Sequence, residues 1–220
     1  MQASISDSDK LIQWRAADQL VEYPAALEKM ETIVEAIQAG SLPNQGWLLE
    51  HPPIYTVGTS GNEEDILQES AIPRYQTGRG GQVTYHGPGQ RICYLMLNLK
   101  HFKQDVRWYI RTLEQIIIDL LASYGITGHR QEDAVGVWVE NDRGSFDKVA
   151  AIGVRVRKWV TFHGFALNVD PDLDDYLNIV PCGIRDRGVT SLAKLGVNTT
   201  MAAIDEQIKT RVNQHFGTPH

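Results

Sequence analysis

Residues 79–90 read RGGQVTYHGPGQ, a stretch that holds four glycines, a proline, an arginine and a histidine within twelve positions. Glycine is kept mainly where φ must be positive or where another molecule approaches the main chain closely. The glycines at 80–81 and 87–89 are also ordinary turn signals, so a plain hairpin is the alternative. A plain hairpin does not require polar and aromatic residues between its turns. The stretch therefore predicts a short strand that lines a pocket with one face, between turns whose N–H groups can bind a ligand.

Three amphipathic helices are predicted around this stretch. Apolar residues recur at three- and four-residue steps over residues 27–37, 113–121 and 204–216. Gly40 and Gly125 end the first two, and Thr199 or Thr200 caps the third. Strand-like runs lie at 46–50, 54–57, 90–99, 134–140, 148–157 and 159–169. Their short connections favour hairpins, so we expect an α/β or α+β fold with helices packed on a mixed or antiparallel sheet.

Composition narrows the classes of function. A chain of 220 residues with 42% hydrophobic residues can bury a sizeable core, and nothing in it indicates a domain boundary, so we expect one domain over residues 1–220. The net charge of −6 argues against a nucleic-acid partner. The chain has no run of about 18 apolar residues and its first ten residues do not resemble a signal peptide. We therefore expect a cytoplasmic protein without membrane contact.

The two cysteines differ in their surroundings. Two cysteines do not make a disulfide framework, and a reducing compartment keeps both as thiols. Cys93 lies in a strand-like apolar run and is interpreted as a buried, inert thiol. Cys182 lies between Pro181 and Gly183, in irregular backbone that can present a side chain to a ligand.

Five motifs in the same order make the chain resemble the octanoyltransferases of lipoate biosynthesis. Besides residues 79–90 they are KVAAIG at 148–153, HGFALNV at 163–169, PCGI at 181–184 and GVTSL at 188–192. The motifs extend over residues 45–195. The resemblance implies a single octanoyltransferase domain of the biotin and lipoate protein ligase fold. It also implies transfer of an octanoyl group from octanoyl-acyl carrier protein to a lysine amine of a lipoyl domain, without a cofactor or a bound metal.

Acyl transfer through a covalent intermediate requires a nucleophile that attacks a thioester and is later displaced by an amine, and a cysteine thiolate meets both demands. A free cysteine has a pKa of about 8.5, so a nearby cation is needed to form the thiolate at neutral pH. On position alone Lys148 is interpreted as a strand-end lysine that extends to water. The resemblance implies instead that Cys182 and Lys148 form a catalytic dyad. Lys148, His86 or His163 could then take the proton of the acceptor amine.

The resemblance also implies which residues bind the acyl substrate. They come from three of the motifs and are Arg79, Gly80, Gly81, Gln82, Val83, Thr84, Tyr85, His86, Ala151, Ile152, Gly153, His163, Gly164, Phe165 and Ala166. The small residues among them leave room for a narrow chain. Either Gly183 or the Gly80–Gly81 pair could supply backbone N–H groups for the oxyanion of a tetrahedral intermediate.

The expected partners follow from the same resemblance. The acyl donor is acyl carrier protein, and the acceptors are lipoyl domains of 2-oxoacid dehydrogenase complexes or the glycine cleavage H protein; the enzyme is expected to be a monomer. An acidic carrier would need a local basic surface. The candidates lie between positions 74 and 111 and are Arg74, Arg79, Arg91, Lys103, Arg107 and Arg111.

Two alternatives remain open at this point. An ATP-dependent lipoate or biotin protein ligase shares the fold but activates a free acid and needs no nucleophilic cysteine, which leaves Pro181-Cys182-Gly183 unexplained. A non-catalytic module that binds an acyl chain or a carrier protein would keep the glycine-rich pocket without needing the cysteine and the lysine together. The acidic residues Asp172, Asp174 and Asp175 are interpreted as surface residues of a turn, since no His or Cys lies at ligand spacing around them.

Overall fold

The computed structural model describes residues 10–62, 65–67, 70–179 and 187–217. In this part of the chain nine strands and three α-helices follow one another, with short 3-10 turns at Leu99–His101 and Asp174–Asn178. The order is β1 (Ile12–Ala16), α1 (Tyr23–Gln38), β2 (Asn44–Leu49), β3 (Ile54–Val57), β4 (Arg74–Gln76), β5 (Val83–His86), β6 (Gln90–Met96), α2 (Val106–Ala122), β7 (Val137–Glu140), β8 (Phe146–Arg157), β9 (Val160–Asn168) and α3 (Met201–Phe216).

Six of the strands form a mixed sheet in the order β1-β2-β6-β9-β8-β7. β1 and β2 run parallel, whereas every other neighbouring pair in this sheet is antiparallel. A second, three-stranded sheet has the order β4-β3-β5. The expected fold class, a mixed sheet with packed helices, is confirmed.

Helices cover both faces of the large sheet. On one face α1 packs through Met30, Val34 and Ile37 onto apolar side chains of β2, β6 and β9. On the other face α2 and α3 pack together over the main core, which includes Leu113 and Ile208. The two faces of the sheet are therefore distinct, and we call them the α1 face and the α2–α3 face.

Capping side chains and a proline mark the first turns of the helices. Asp105 caps α2, its carboxylate accepting a hydrogen bond from the Trp108 backbone N–H. Thr200 caps α3 through the N–H of Ala203, which selects between the two threonines considered from sequence. Pro24 lies in the first turn of α1, where its missing N–H costs nothing.

Two strands were not predicted. β1, IQWRA, does alternate apolar and polar residues, but over only five positions, and this signal was overlooked. β4 has three exposed residues and carries no such pattern. The predicted strands at 90–99 and 134–140 were too long, since β6 ends at Met96 and β7 begins at Val137. No helix in residues 10–62, 65–67, 70–179 and 187–217 is long and apolar enough to cross a bilayer.

Candidate functional site

A cavity lies on the α1 face of the sheet, between β5, β6, β8 and β9. Twelve of the fifteen residues predicted to bind substrate line it. They are Arg79, Gly81, Gln82, Thr84, His86, Ala151, Ile152, Gly153, His163, Gly164, Phe165 and Ala166. Three sequence motifs, at residues 79–90, 148–153 and 163–169, are thus brought to one cavity by the pairing of β8 with β9 and of β9 with β6.

The other three predicted residues do not line the cavity. Val83 and Tyr85 alternate with Thr84 and His86 along β5, so their side chains leave on the opposite face and pack against Tyr176 in a separate apolar cluster. The Gly80 backbone is bonded to β8, because its N–H donates to the carbonyl oxygen of Val154 at 3.0 Å. The same bond removes the Gly80 N–H from the candidates for an oxyanion site.

Sequence analysis missed Tyr23, Ile92 and Tyr94, which complete the lining. Tyr23 is the first residue of α1 and is buried over the cavity. Ile92 and Tyr94 alternate along β6 on the α1 face. The signal for the two β6 residues was present, since a strand that crosses a pocket contributes every second side chain to it.

The buried Arg79 side chain holds the glycine-rich loop through hydrogen bonds. Its guanidinium donates to the carbonyl oxygens of Thr56 at 2.7 Å, Gln82 at 2.9 Å and Gly80 at 3.0 Å, and to the Thr56 hydroxyl at 2.7 Å. Gly153 must be glycine here, because a Cβ would lie 2.9 Å from Arg79 Cδ. Arg79 therefore fixes the turn and adds a buried positive charge beside the cavity.

The predicted basic surface is wrong for two of its six members. Arg79 and Arg91 are buried, Arg91 in an ion pair with Asp205 at 2.8 Å. The other four are exposed, and Arg107 and Arg111 share one face of α2 with a cleft that also contains Arg130. Of the six candidates, the four exposed residues can contribute to a basic surface for a partner.

Three histidines and two tyrosines form a buried polar group beside the cavity. His51 Nε2 is 2.7 Å from the Tyr94 hydroxyl, and His163 Nε2 is 3.2 Å from the Tyr23 hydroxyl. His86 Nδ1 is 2.6 Å from Gln90 Oε1. His163 Nδ1 is buried and has no hydrogen-bond partner among the residues that the structure describes.

All three histidines are uncharged at neutral pH. Burial lowers the pKa of His51 from 6.5 to about 4. Burial, followed by the nearby His51, lowers the pKa of His86 to about 3, and burial, followed by the Arg79 charge, lowers that of His163 to about 3. Burial likewise raises the pKa of the Tyr94 hydroxyl well above its usual range. The buried polar group beside the cavity is thus neutral.

His163 adopts an unusual backbone conformation. Its φ is +60°, inside β9 and in the left-handed region that side chains other than glycine rarely occupy. Phe162 and Ala166 pack on the α1 face, whereas Phe165 and Leu167 pack on the other, so strand alternation alone would place His163 on the α2–α3 face. Its ring instead lies 5.7 Å from that of Tyr94 on the α1 face. The positive φ turns this imidazole toward the cavity.

A β-bulge places the Lys148 side chain on the α1 face. Val137 of β7 pairs with Ala150 and Trp138 pairs with Lys148, so one step along β7 corresponds to two along β8. Val149 and Ala150 accordingly both pack in the core of the α2–α3 face. Lys148 therefore emerges on the α1 face, as Ala151 does, about 10 Å from Ala151 along the strand.

Lys148 is buried rather than extended to water, so the interpretation of a strand-end lysine is wrong. Only 5% of the residue is exposed, its Nζ donates to the Val135 carbonyl oxygen at 3.2 Å, and the ammonium lies 4.5 Å from the centre of the Trp138 ring. The β8 backbone at Lys148 also pairs with residues 188–190, which follow the PCGI motif in the chain.

Cys182 and Gly183 lie outside the described residues, so their geometry relative to Lys148 stays a prediction. Cys93 is fully buried, and burial raises the pKa of its thiol well above the ordinary value. The interpretation of Cys93 as an inert core residue is confirmed. Within the described ranges, no group of three or more His, Cys, Asp or Glu side chains is placed to hold a metal ion.

Comparison with known proteins decides the family. Residues 22–213 match the model of the lipoyl protein ligase A/B catalytic domain. The chain is 52% identical over 214 residues to an octanoyltransferase of Bartonella tribocorum, covering 94% of this chain and 87% of that protein. It is also 52% identical over 206 residues to an octanoyltransferase of Paramagnetospirillum magneticum, covering 94% and 97%.

The chain belongs to the lipoyl protein ligase A/B catalytic-domain family. Solved structures of this family share its fold. A bipartite lipoate protein ligase from Thermoplasma acidophilum superimposes with a TM-score of 0.68 at 16% identity, over 93% of this chain and 84% of that one. A lipoate-protein ligase A bound with ATP gives 0.65 at 15% identity, over 93% and 83%. At such low identity these ligases establish the fold alone.

Proposed function

We propose that the chain is an octanoyltransferase that moves an octanoyl group from octanoyl-acyl carrier protein to a lysine of a lipoyl domain, through a thioester on Cys182. The observation that carries the proposal is the 52% identity, over 94% of the chain, to proteins named octanoyltransferase. We also propose that residues 1–220 form one domain. The likeness to ligases is much lower and extends to the fold only.

In the first half-reaction the Cys182 thiolate attacks the carbonyl carbon of the carrier's thioester. The carbon–sulfur bond to the carrier then breaks, the leaving carrier thiolate takes a proton from the Lys148 ammonium, and the octanoyl group remains on Cys182. A positive charge on Lys148 stabilises the attacking thiolate. The burial of Lys148 beside Trp138 supports this role, because a charge kept away from water acts more strongly on its neighbours.

The acyl chain occupies the cavity on the α1 face. Ala151, Gly153, Gly164 and Ala166 present little or no side chain to it, and Ile92 adds apolar surface. Since the three histidines beside the cavity are neutral, an apolar chain meets no charged imidazole there. The lining is therefore suited to a saturated acyl group.

In the second half-reaction the acceptor amine must first lose a proton, since a lysine amine has an ordinary pKa of about 10.4. Lys148, left neutral by the first half-reaction, is the proposed acceptor of that proton. The neutral amine then attacks the thioester carbon, the Cys182 sulfur leaves as a thiolate, and the amide forms as the nitrogen releases its second proton to water. His163, the second candidate from the sequence, is the weaker base, since burial lowers its pKa to about 3.

The proposal is tested by assaying lipoyl-domain octanoylation with two donors, octanoyl-acyl carrier protein without ATP, and octanoate with ATP and Mg²⁺. We expect product from the first donor only. Lys148→Ala should lower the rate by at least about a hundredfold, as for loss of a general acid or base. Lys194→Ala, which removes an exposed lysine, serves as the control. Product from octanoate and ATP alone would assign the chain to the ligases.

A further inference from the structure

We propose that Trp138 is a positioning residue for Lys148: its indole ring holds the lysine ammonium in place and favours its charged form during acyl-enzyme formation. This inference rests on the proposed function, because it assigns a task to Trp138 only if Lys148 acts on the nucleophile. It concerns a side chain that none of the substrate-binding motifs contains.

The contacts between Trp138 and Lys148 are direct. The two residues are cross-strand partners in β7 and β8, and Lys148 Nζ lies 4.5 Å from the centre of the indole ring. An ammonium within about 6 Å of a tryptophan face is attracted by the negative face of the ring, more strongly when water is excluded. Trp138 is 1% exposed and Lys148 5%, so water is largely excluded.

One short segment holds both side chains. Trp138 Nε1 donates to the carbonyl oxygen of Ala134 at 3.2 Å, and Lys148 Nζ donates to that of the next residue, Val135, at 3.2 Å. Consecutive carbonyl groups thus fix the ring and the ammonium relative to each other. This arrangement leaves little freedom for the lysine head group.

The segment itself is anchored to α2. Gly136 has a φ of +134°, and its N–H donates to the buried Glu114 carboxylate at 3.3 Å. A Cβ at Gly136 would lie 2.8 Å from the Ala150 carbonyl oxygen and 3.2 Å from Lys148 Cε. Glycine at this position therefore lets the segment approach the lysine side chain closely.

The Trp138 ring does not belong to the core of the α2–α3 face. Val137 and Val139 fill the core of the α2–α3 face, and Trp138 alternates with them onto the other face. There the ring carries a second cation, since the Arg187 guanidinium lies 5.3 Å from its centre. Both cations therefore contact the same indole ring.

Other charged groups surround this arrangement. Asp133 pairs with Arg187 at 2.8 and 3.1 Å, which offsets the repulsion between the arginine and Lys148. Glu114 binds Gly136 and Arg130 on the α2 side, and Asp147 precedes Lys148 in β8. The indole ring and the Val135 carbonyl oxygen both contact Lys148 Nζ.

The test measures acyl-enzyme formation in single turnovers with octanoyl-acyl carrier protein across pH. The readout is the alkaline limit, the pH above which the rate of acyl-enzyme formation declines. In Trp138→Leu we expect the limit to move about 0.5 to 1 pH unit lower, since the ammonium loses a stabilising contact. The maximal rate should fall about tenfold, while the donor concentration for half-maximal rate should change less than about twofold, because Trp138 does not touch the donor.

Two variants keep the test decisive. Trp138→Phe retains an aromatic face that attracts a cation more weakly, so its alkaline limit should lie between that of the parent and the limit expected for Trp138→Leu. This variant keeps the inference testable if Trp138→Leu does not fold. Trp108→Leu removes a tryptophan that packs on Phe216, away from the cavity, and should leave the limit unchanged. The inference is overturned if Trp138→Phe retains the parent's alkaline limit and rate.

Lys148→Ala separates this inference from the proposed function. If Lys148→Ala forms the acyl-enzyme at the parent's rate and pH dependence, the role of Lys148 is wrong and the inference falls with it. If Lys148→Ala is inactive while Trp138→Phe matches the parent, the role of Lys148 stands and only that of Trp138 is lost.

Discussion

At the scale of single residues, two local departures from strand geometry assemble the site. Lys148 reaches the α1 face through a β-bulge, and His163 reaches it through a positive φ. Simple alternation along β8 and β9 places both side chains on the opposite face, so sequence periodicity could not predict where they lie. The motifs that contain them were predictable, because glycine and histidine within strand-like runs are unusual for a packed core.

The backbone strain at His163 predicts how its substitutions rank in stability. A side chain in the left-handed region costs about 1–2 kcal/mol, whereas glycine adopts it without that cost. His163→Gly should therefore be about 1 kcal/mol more stable than His163→Ala, although both lose the hydrogen bond to Tyr23. Urea unfolding of the two variants measures the difference, and equal stabilities would show that His163 is not strained.

At the scale of elements, the pairing of β6, β9 and β8 brings the motifs together. The predicted strands 148–157 and 159–169 correspond to β8 and β9, joined at Lys158 and Trp159, whose φ values of +51° and +68° describe a tight hairpin turn. The order of the strands was not predictable in the same way. It depends on contacts such as Cys93 with Gly164, which lie 71 residues apart in sequence.

Gly164 is the glycine on which this pairing depends most directly. A Cβ there would lie 2.2 Å from the carbonyl oxygen of Cys93 in β6, a backbone atom that cannot move without separating the strands. Gly164→Ala should destabilise the fold by about 2–3 kcal/mol through overpacking. Gly40→Ala is the control: its φ is +74° but no atom lies within 4 Å, so it should cost about 1 kcal/mol. Similar losses in thermal unfolding would contradict the close approach of β6 and β9.

At the scale of the whole molecule, the sequence predicted the fold class and the region of the site, because both follow from periodicity and from ordered motifs. It did not predict that three buried histidines meet beside the cavity. That meeting requires β3, β5 and the large sheet to converge, since His51 precedes β3, His86 ends β5 and His163 lies in β9.

The buried histidines make stability depend on pH. Their pKa values in the folded protein, about 3 to 4, lie below the unfolded value of 6.5, so the unfolded chain binds more protons between these limits. Stability is therefore fully present above pH 6.5 and is lost as the pH falls toward 4. At pH 5 the loss is about 2 kcal/mol for each histidine, or about 6 kcal/mol for three.

A loss of this size is comparable to the whole stability of many domains, about 5–15 kcal/mol. Urea unfolding at pH 7 and pH 5 measures it, and His86→Gln should reduce the pH dependence by about a third. Equal unfolding free energies at the two pH values would mean that the histidines can be protonated in the folded state.

The central claim is that Cys182 carries the octanoyl group during transfer. The most direct test is intact-protein mass spectrometry after incubation with octanoyl-acyl carrier protein, without ATP or acceptor, on the parent, Cys182→Ser and Cys93→Ser. We predict a single octanoyl addition on the parent and on Cys93→Ser, none as a thioester on Cys182→Ser, and loss of the addition when a lipoyl domain is supplied. An unmodified parent that still octanoylates the lipoyl domain, or a thioester that persists in Cys182→Ser, would contradict the claim.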